Sequence, residues 1–295
     1  MIFDLDFVNL ELKAAASGVV PEALTDHPVF QAIAFHEAQL DRPELTRARF
    51  CAALRAAARN EDGSWGLRAL FDRRENLLKL IGWLSEDSQG IFQMMAAWLS
   101  HFTTARLTGA LRCILYVGTH DGGFKLASDS EDIFINAAAL TNLDCFLETL
   151  AHECYHARTK SPALVRRIQR LEEENDYLGA VLYSTFEEGT ADFVGNNGAT
   201  VTQNPVFPLR PPEEGAAQLR QLLRDYRSGS LSGEALYMTF RKTDCCYTAG
   251  VYIAAAVWQD CGIDGLDVWS QELDWMKYYS LFRSTEPGAD WPELV

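Results

Sequence analysis

The chain is short of positive charge. Its 26 lysines and arginines face 41 aspartates and glutamates, a formal net of −15. Phosphate backbones and anionic lipids are bound by clustered cations, so this balance excludes a nucleic-acid or anionic-membrane partner. Long hydrophobic runs are missing too. The longest, Ala249 to Trp258, is too short to cross a bilayer, and no membrane span is expected. Met1 to Leu12 carries Asp4, Asp6 and Glu11 with no early basic residue, unlike a secretory leader. There is no CxxC pair. The 7 cysteines are odd in number and several sit inside apolar runs, which excludes an ordinary disulfide framework and suits reduced, buried thiols. Together these absences predict a cytoplasmic protein.

What is present is ample core material: 48% hydrophobic residues over 295 positions, enough for one large domain or two ordinary ones. Residues 1–109 read as nearly all helix, with apolar residues at helical spacing over 67–84 and 91–107. The period then changes. Leu111 to Val117 and Ile133 to Ala137 read as short buried strands around a loop at 119–123. Helix returns from about Asn142 to Thr159, with Thr141 as N-cap and Asp144 completing a weak capping box. Further helices are expected over 162–183, 184–194, 213–227, 232–241 and 248–259, with a proline-rich loop at 204–212. The expected class is α+β, predominantly helical, with a small sheet packed on the central helix. The division expected is a helical region 1–109 followed by a catalytic region 110–295.

The chemistry concentrates at His152-Glu153-Cys154-Tyr155-His156, an H-E-x-x-H pentapeptide. On a helix, positions i and i+4 share a face, so His152 and His156 can present two imidazoles to one Zn²⁺. Glu153 borders the same cavity without pointing at the metal, as a general base acting on metal-activated water would. The flanking residues Cys145, Phe146, Leu147, Leu150, Ala151 and Cys154 make the helix apolar, and buried imidazoles there need a partner. The competing reading is a pair of core histidines bonded to backbone, with Glu153 in an ion pair. A zinc hydrolase needs a third protein ligand. Thr159 and Pro162 stand where the metzincin extension requires Gly and His, which excludes that group. His27, His36, His101 and His120 have no supporting spacing, and the run Glu172-Glu173-Glu174 reads as a solvated face.

Downstream, Phe186-Glu187-Glu188-Gly189-Thr190-Ala191-Asp192 follows the motif in the order seen in gluzincins. Over roughly residues 111–195 the chain resembles these thermolysin-like and aminopeptidase-like zinc peptidases. The resemblance implies a zincin-like core, one zinc ion, Glu188 as third ligand, and Asp192 hydrogen-bonding the first histidine ligand. The chain departs from the thermolysin pattern twice. The interval from His156 to Glu188 is long and implies an inserted helix, and acidic Glu187 stands where thermolysin has an amide. Glu187 is therefore either the ligand itself or a support for His156, and Asp192 as a direct ligand is a third option. The resemblance also places an edge strand at Ile133 to Ala137, with Asn136 and Ala137 binding substrate backbone, while an ordinary core strand fits these residues equally well. It points to Tyr247 as the oxyanion donor, with Tyr252 in reserve and Tyr237 behind it. Arg241 and Lys242 are surface cations that nothing singles out.

The function expected is a zinc-dependent peptidase acting on a peptide or protein, with Glu153 as general base. Two alternatives stand beside it. One is a zinc hydrolase of a non-peptide ester, amide or epoxide. The other is a non-enzymatic helical interaction protein with a vestigial site.

Overall fold

Strands buried on both faces lose the polar–apolar alternation, and two segments here show that pattern. In the computed structural model, Arg112–Tyr116 (β2) and Asp132–Asn136 (β4) are buried at every position but the first. They pair in parallel, with Arg112 opposite Asp132 and Tyr116 opposite Asn136. Ile2–Asp4 (β1) adds in parallel to β2, and Gly123–Lys125 (β3) adds antiparallel to β4. The order is β1-β2-β4-β3. The Arg112 guanidinium bonds Asp132 at 2.5 and 3.0 Å and reaches Asp4 at 3.5 Å, tying three strands at one end. The structure describes residues 1–40, 42–107, 111–119, 121–125, 132–138, 142–158, 166, 168, 170–171, 173–200, 210–269, 274–286 and 288–294.

This order corrects the edge-strand expectation. Ile133 to Ala137 lies inside the sheet, between β2 and β3, and the terminal strand beyond it is β3. Asn136 is also occupied. Its side-chain oxygen accepts from the Gly118 and Ala138 amides at 3.2 and 3.0 Å, and its nitrogen donates to the Asp121 carbonyl at 2.8 Å. The Ala137 amide donates to the Tyr116 carbonyl at 2.8 Å. Asn136 therefore ties together the loops at the carboxyl ends of β2 and β4.

By packing, the chain divides into Met1–Met95 with Thr108–Glu153, and Ala96–Leu107 with Cys154–Val295. The expected boundary at 109/110 lies outside the described residues, as does the proposed cap Thr141. The first unit holds the sheet, α1 (Asp6–Ser17), α2 (Glu22–Thr25), α3 (Pro28–Gln39), α4 (Arg47–Arg59), α5 (Ala69–Asp72) and α6 (Arg74–Glu86). Most of α7 (Ser88–Leu99) belongs to it as well. The helix expected over 67–84 breaks at Arg73, whose backbone (φ −119, ψ 18) is not helical. The helix expected to reach residue 107 ends at Leu99. Beyond it, the Thr103 and Thr104 hydroxyls bind Asp267 at 2.8 and 2.6 Å.

Helix α8 (Leu143–His156) carries the H-E-x-x-H motif, and the division falls inside it, after Glu153. Its capping oxygen comes from Asn142, which accepts the Cys145 amide at 2.8 Å. Phe146, Leu150, Ala151, Cys154 and Tyr155 form its buried stripe. The start of the helix expected at Pro162 lies outside the described residues. The break expected at 183/184 is absent: α9 runs unbroken over Tyr177–Gly195, started by Asp176, which accepts the Gly179 amide at 2.8 Å.

The second unit continues with α10 (Pro212–Arg227), α11 (Gly233–Phe240), α12 (Cys245–Asp267) and α13 (Trp275–Thr285). Helices α9 and α12 touch backbone to backbone. A Cβ on Gly189 would fall 2.0 Å from the Gly250 Cα, and one on Gly250 would fall 2.1 Å from the Thr185 carbonyl. Gly250 is thus a contact point inside α12 rather than a helix start. Prolines 205 and 208 of the proline-rich loop lie outside the described residues.

The first unit also buries a carboxyl. Glu11 on α1 is 1% exposed, and its Oε2 accepts the Val117 amide at 2.7 Å. Burial pushes its pKa well above the usual range, partly offset by that amide. A raised carboxyl pKa means that the folded state binds the proton more tightly than the unfolded chain. Its cost to stability is therefore absent at low pH and grows as pH rises above the ordinary value of about 4.3. Glu11→Gln should raise stability at pH 8 by about 1–3 kcal/mol, the gain fading below about pH 4, in denaturant titrations at the two pH values.

Candidate metal centre

One face of α8 is set by spacing alone. His152 and His156, one turn apart, are both half-buried, while Glu153 between them is enclosed at 3% exposure. Helix α9 supplies Glu188. One atom from each of His152, His156 and Glu188 lies within 4.8 Å of the other two. Two imidazole nitrogens and one carboxylate oxygen are a donor set suited to zinc, with a coordination position left open. The residues therefore fit the ion that the motif implies.

The two nitrogens of His156 face different carboxylates. Nε2 lies 3.5 Å from a Glu188 oxygen, and Nδ1 lies 3.2 Å from Glu187 Oε1. Glu187 is buried and doubly held. Arg158 donates to its two oxygens at 3.1 and 2.9 Å. Arg158 is itself enclosed; it also donates to the Tyr155 carbonyl at 2.7 Å and lies 3.7 Å over the Tyr155 ring. Burial works against the charge on Arg158, but the Glu187 carboxylate outweighs it and raises the guanidinium pKa above its usual range. An ion pair of this kind fixes the Nδ1 side of His156 and leaves Nε2 directed toward Glu188. The position after Glu188 matters too: Gly189 allows the α9–α12 contact, which brings α12 against the turn that carries Glu188.

Glu153 has a backbone neighbour. A Cβ on Gly123 of β3 would sit 2.8 Å from Glu153 Oε1 and from the Phe134 carbonyl, so glycine leaves the strand room beside this carboxylate. Asp192 lies one turn beyond Glu188, half-buried. Cys246 at the start of α12 is close to both: burial, then the charges of Glu188 and Asp192, push its thiol well above the ordinary range. Tyr247 follows Cys246 in the first turn of α12 and is half-buried.

The other sequence candidates fall elsewhere. The Tyr252 hydroxyl is bonded to Glu286, and burial together with that carboxylate pushes its pKa up to about 12. Tyr237 packs on Tyr177 with ring centroids 6.0 Å apart, and Arg241 lies over it. Arg241 and Lys242 are exposed. His27 caps α3 by accepting the Val29 amide, His36 bonds Asp121, and His101 is exposed. His120 and Glu172 lie outside the described residues, and Glu173 and Glu174 are exposed.

Two residues at the site carry no motif signal. Arg158 is the first cation after an apolar helix, and enclosure of so costly a group is visible only in three dimensions. Gly123 reads in sequence as half of a loop dipeptide. The Arg158–Glu187 pair yields a direct test. Arg158→Met strands an enclosed carboxylate and should cost about 3–5 kcal/mol in denaturant unfolding. Adding Glu187→Gln, which removes that charge, should recover most of the loss.

No curated protein and no solved structure matches the chain. A family model does, over residues 30–264, a span that contains every residue of the cluster. Its description is "Putative zinc dependent peptidase (DUF5700)", and the chain belongs to that family.

Proposed function

We propose that this protein is a zinc-dependent peptidase of gluzincin type with a zincin-like core. In this reading His152, His156 and Glu188 hold one zinc ion and Glu153 is the general base. The observation that carries it is the convergence of three ligand atoms from α8 and α9 within 4.8 Å, with Glu153 on the same helix. Membership of the zinc-peptidase family supports the same conclusion.

Bound there, zinc supplies Lewis acidity, which eases loss of a proton from water and polarises a carbonyl. The chain's own residues do the rest. Glu153 accepts the proton as water attacks the scissile carbonyl, then delivers it to the departing amine. Its enclosure keeps the carboxylate out of bulk water. Glu187, neutralised by Arg158, holds the Nδ1 side of His156 and so fixes the ring's orientation. Asp192 is assigned the same task toward His152. Glu188 offsets part of the metal's charge. Tyr247, at the start of α12, is assigned the hydrogen bond to the developing oxyanion. A peptide substrate aligns by strand addition along β3, the terminal strand beside Glu153 and the place to which the edge role passes from β4.

Metal analysis tests the ligand assignment. Protein purified without added zinc should carry about one zinc per chain, as a three-ligand site predicts. The His152→Ala/His156→Ala variant should carry none, and Glu188→Gln should retain far less than Glu187→Gln. Metal-free wild type would refute the assignment. The base is tested separately: Glu153→Gln should keep its zinc while peptide hydrolysis falls by about 10²–10⁴-fold. An unchanged rate would remove Glu153 from the mechanism.

A further inference from the structure

Outside the metal cluster, charged side chains gather most densely around Asp121. Arg42 grips its carboxylate with two nitrogens at 2.6 and 3.0 Å, and His36 of α3 reaches it at 3.2 Å. Arg42 also bonds Glu37 of α3 at 2.8 Å, whose second oxygen accepts the Trp65 indole at 3.4 Å. Burial raises the Asp121 pKa, but His36 and Arg42 outweigh it and hold the group at about 2. Two residues further on, the chain enters β3. There the His36 ring stacks on Phe124, with centroids 3.9 Å apart and planes 4° from parallel. Phe124 stacks in turn on Phe134 of β4, at 4.5 Å and 4°.

The other side of the same segment faces the proposed base. The Asp121 and Gly122 carbonyls accept from the Asn136 side chain and amide at 2.8 and 2.9 Å. Next in line is Gly123, whose backbone lies against Glu153 Oε1. A helix of the N-terminal hundred residues is thereby connected, by two short links, to the carboxylate assigned to the chemistry.

We infer that His36 and Arg42 are positioning residues. Acting through Asp121 and Phe124, they clamp the start of β3 so that the Gly122–Gly123 backbone holds Glu153 in its working orientation. The inference rests on the reading of Glu153 as general base. Loss of the clamp acts on the orientation of Glu153, where small displacements have large effects on rate.

The test uses the full zinc-loaded chain with Arg42→Gln, Arg42→Lys, His36→Ala and His36→Phe. Arg47→Gln, which removes an exposed pair with Glu22, serves as control. Three readouts are compared: zinc per chain, kcat and KM on the best-cleaved member of a quenched-fluorescent peptide library, and amide hydrogen exchange over residues 122–125. Arg42→Gln and His36→Ala should lower kcat about 10- to 100-fold with zinc content unchanged. The same variants should speed exchange of that segment by about tenfold. His36→Phe, which keeps the stack, and Arg42→Lys, which keeps the charge, should each retain more activity than their partners. Arg47→Gln should match wild type. Wild-type kcat and unaltered exchange in Arg42→Gln and His36→Ala would overturn the clamp, and so would a loss of kcat that only tracks lost zinc. Wild type that binds no zinc and cleaves no peptide would refute the peptidase reading instead, and the exchange measurement would still decide the clamp. If Arg42→Gln does not fold, the His36→Phe and His36→Ala pair decides by itself.

Discussion

A carboxylate enclosed at Glu187 is tolerable only because Arg158, itself enclosed, donates to both of its oxygens. The candidate metal centre is arranged around that pair. It neutralises the Glu187 charge, and Glu187 holds one nitrogen of His156 while the other faces Glu188. The pair costs desolvation on both partners, so its presence is better explained by the geometry it imposes than by net stability. Tyr155 contributes twice, as a carbonyl acceptor and as the ring beneath the guanidinium.

Close helix contact supports Glu188 within the second unit. Gly189 and Gly250 let α9 and α12 meet at a separation that no side chain would permit. The turn carrying Glu188 is thereby backed by the start of α12, where Cys246 and Tyr247 lie. Within the first unit, a Cβ on Gly123 would crowd Glu153. Gly189 and Gly250 thus set how closely α9 and α12 meet, and Gly123 how near β3 comes to Glu153, features that composition hides.

Several parts of this arrangement were legible in the sequence. H-E-x-x-H states its own geometry, because a helix of any context puts i and i+4 on one face. The strands β2 and β4 were visible as short apolar runs, and their expected limits agree with the observed ones to within a residue or two. The resemblance pointed to Glu188 over Glu187, but adjacent helix positions differ by about 100° in direction, so only the packing of α9 shows which of the two faces His156 Nε2. The edge strand was misassigned for a related reason. Strand order within a sheet is a matter of tertiary pairing, and Gly123–Lys125 is too short to register as a strand in sequence. The break expected after Tyr183 lies instead at 174–176, where the chain turns before the helix that starts at Tyr177 and runs through 183/184.

The sequence by itself determined the chemistry on offer: two imidazoles and a carboxylate at helical spacing, more acidic residues downstream, and a formal net charge of −15. Local rules of periodicity and charge suffice for such statements. Tertiary structure alone decided which acid meets His156 Nε2, where Glu153 finds its backbone support, and that Arg158 is buried. Those outcomes depend on contacts between residues far apart in the chain, such as Gly123 with Glu153 or Arg42 with Asp121, and no local pattern encodes which distant partner a side chain will meet.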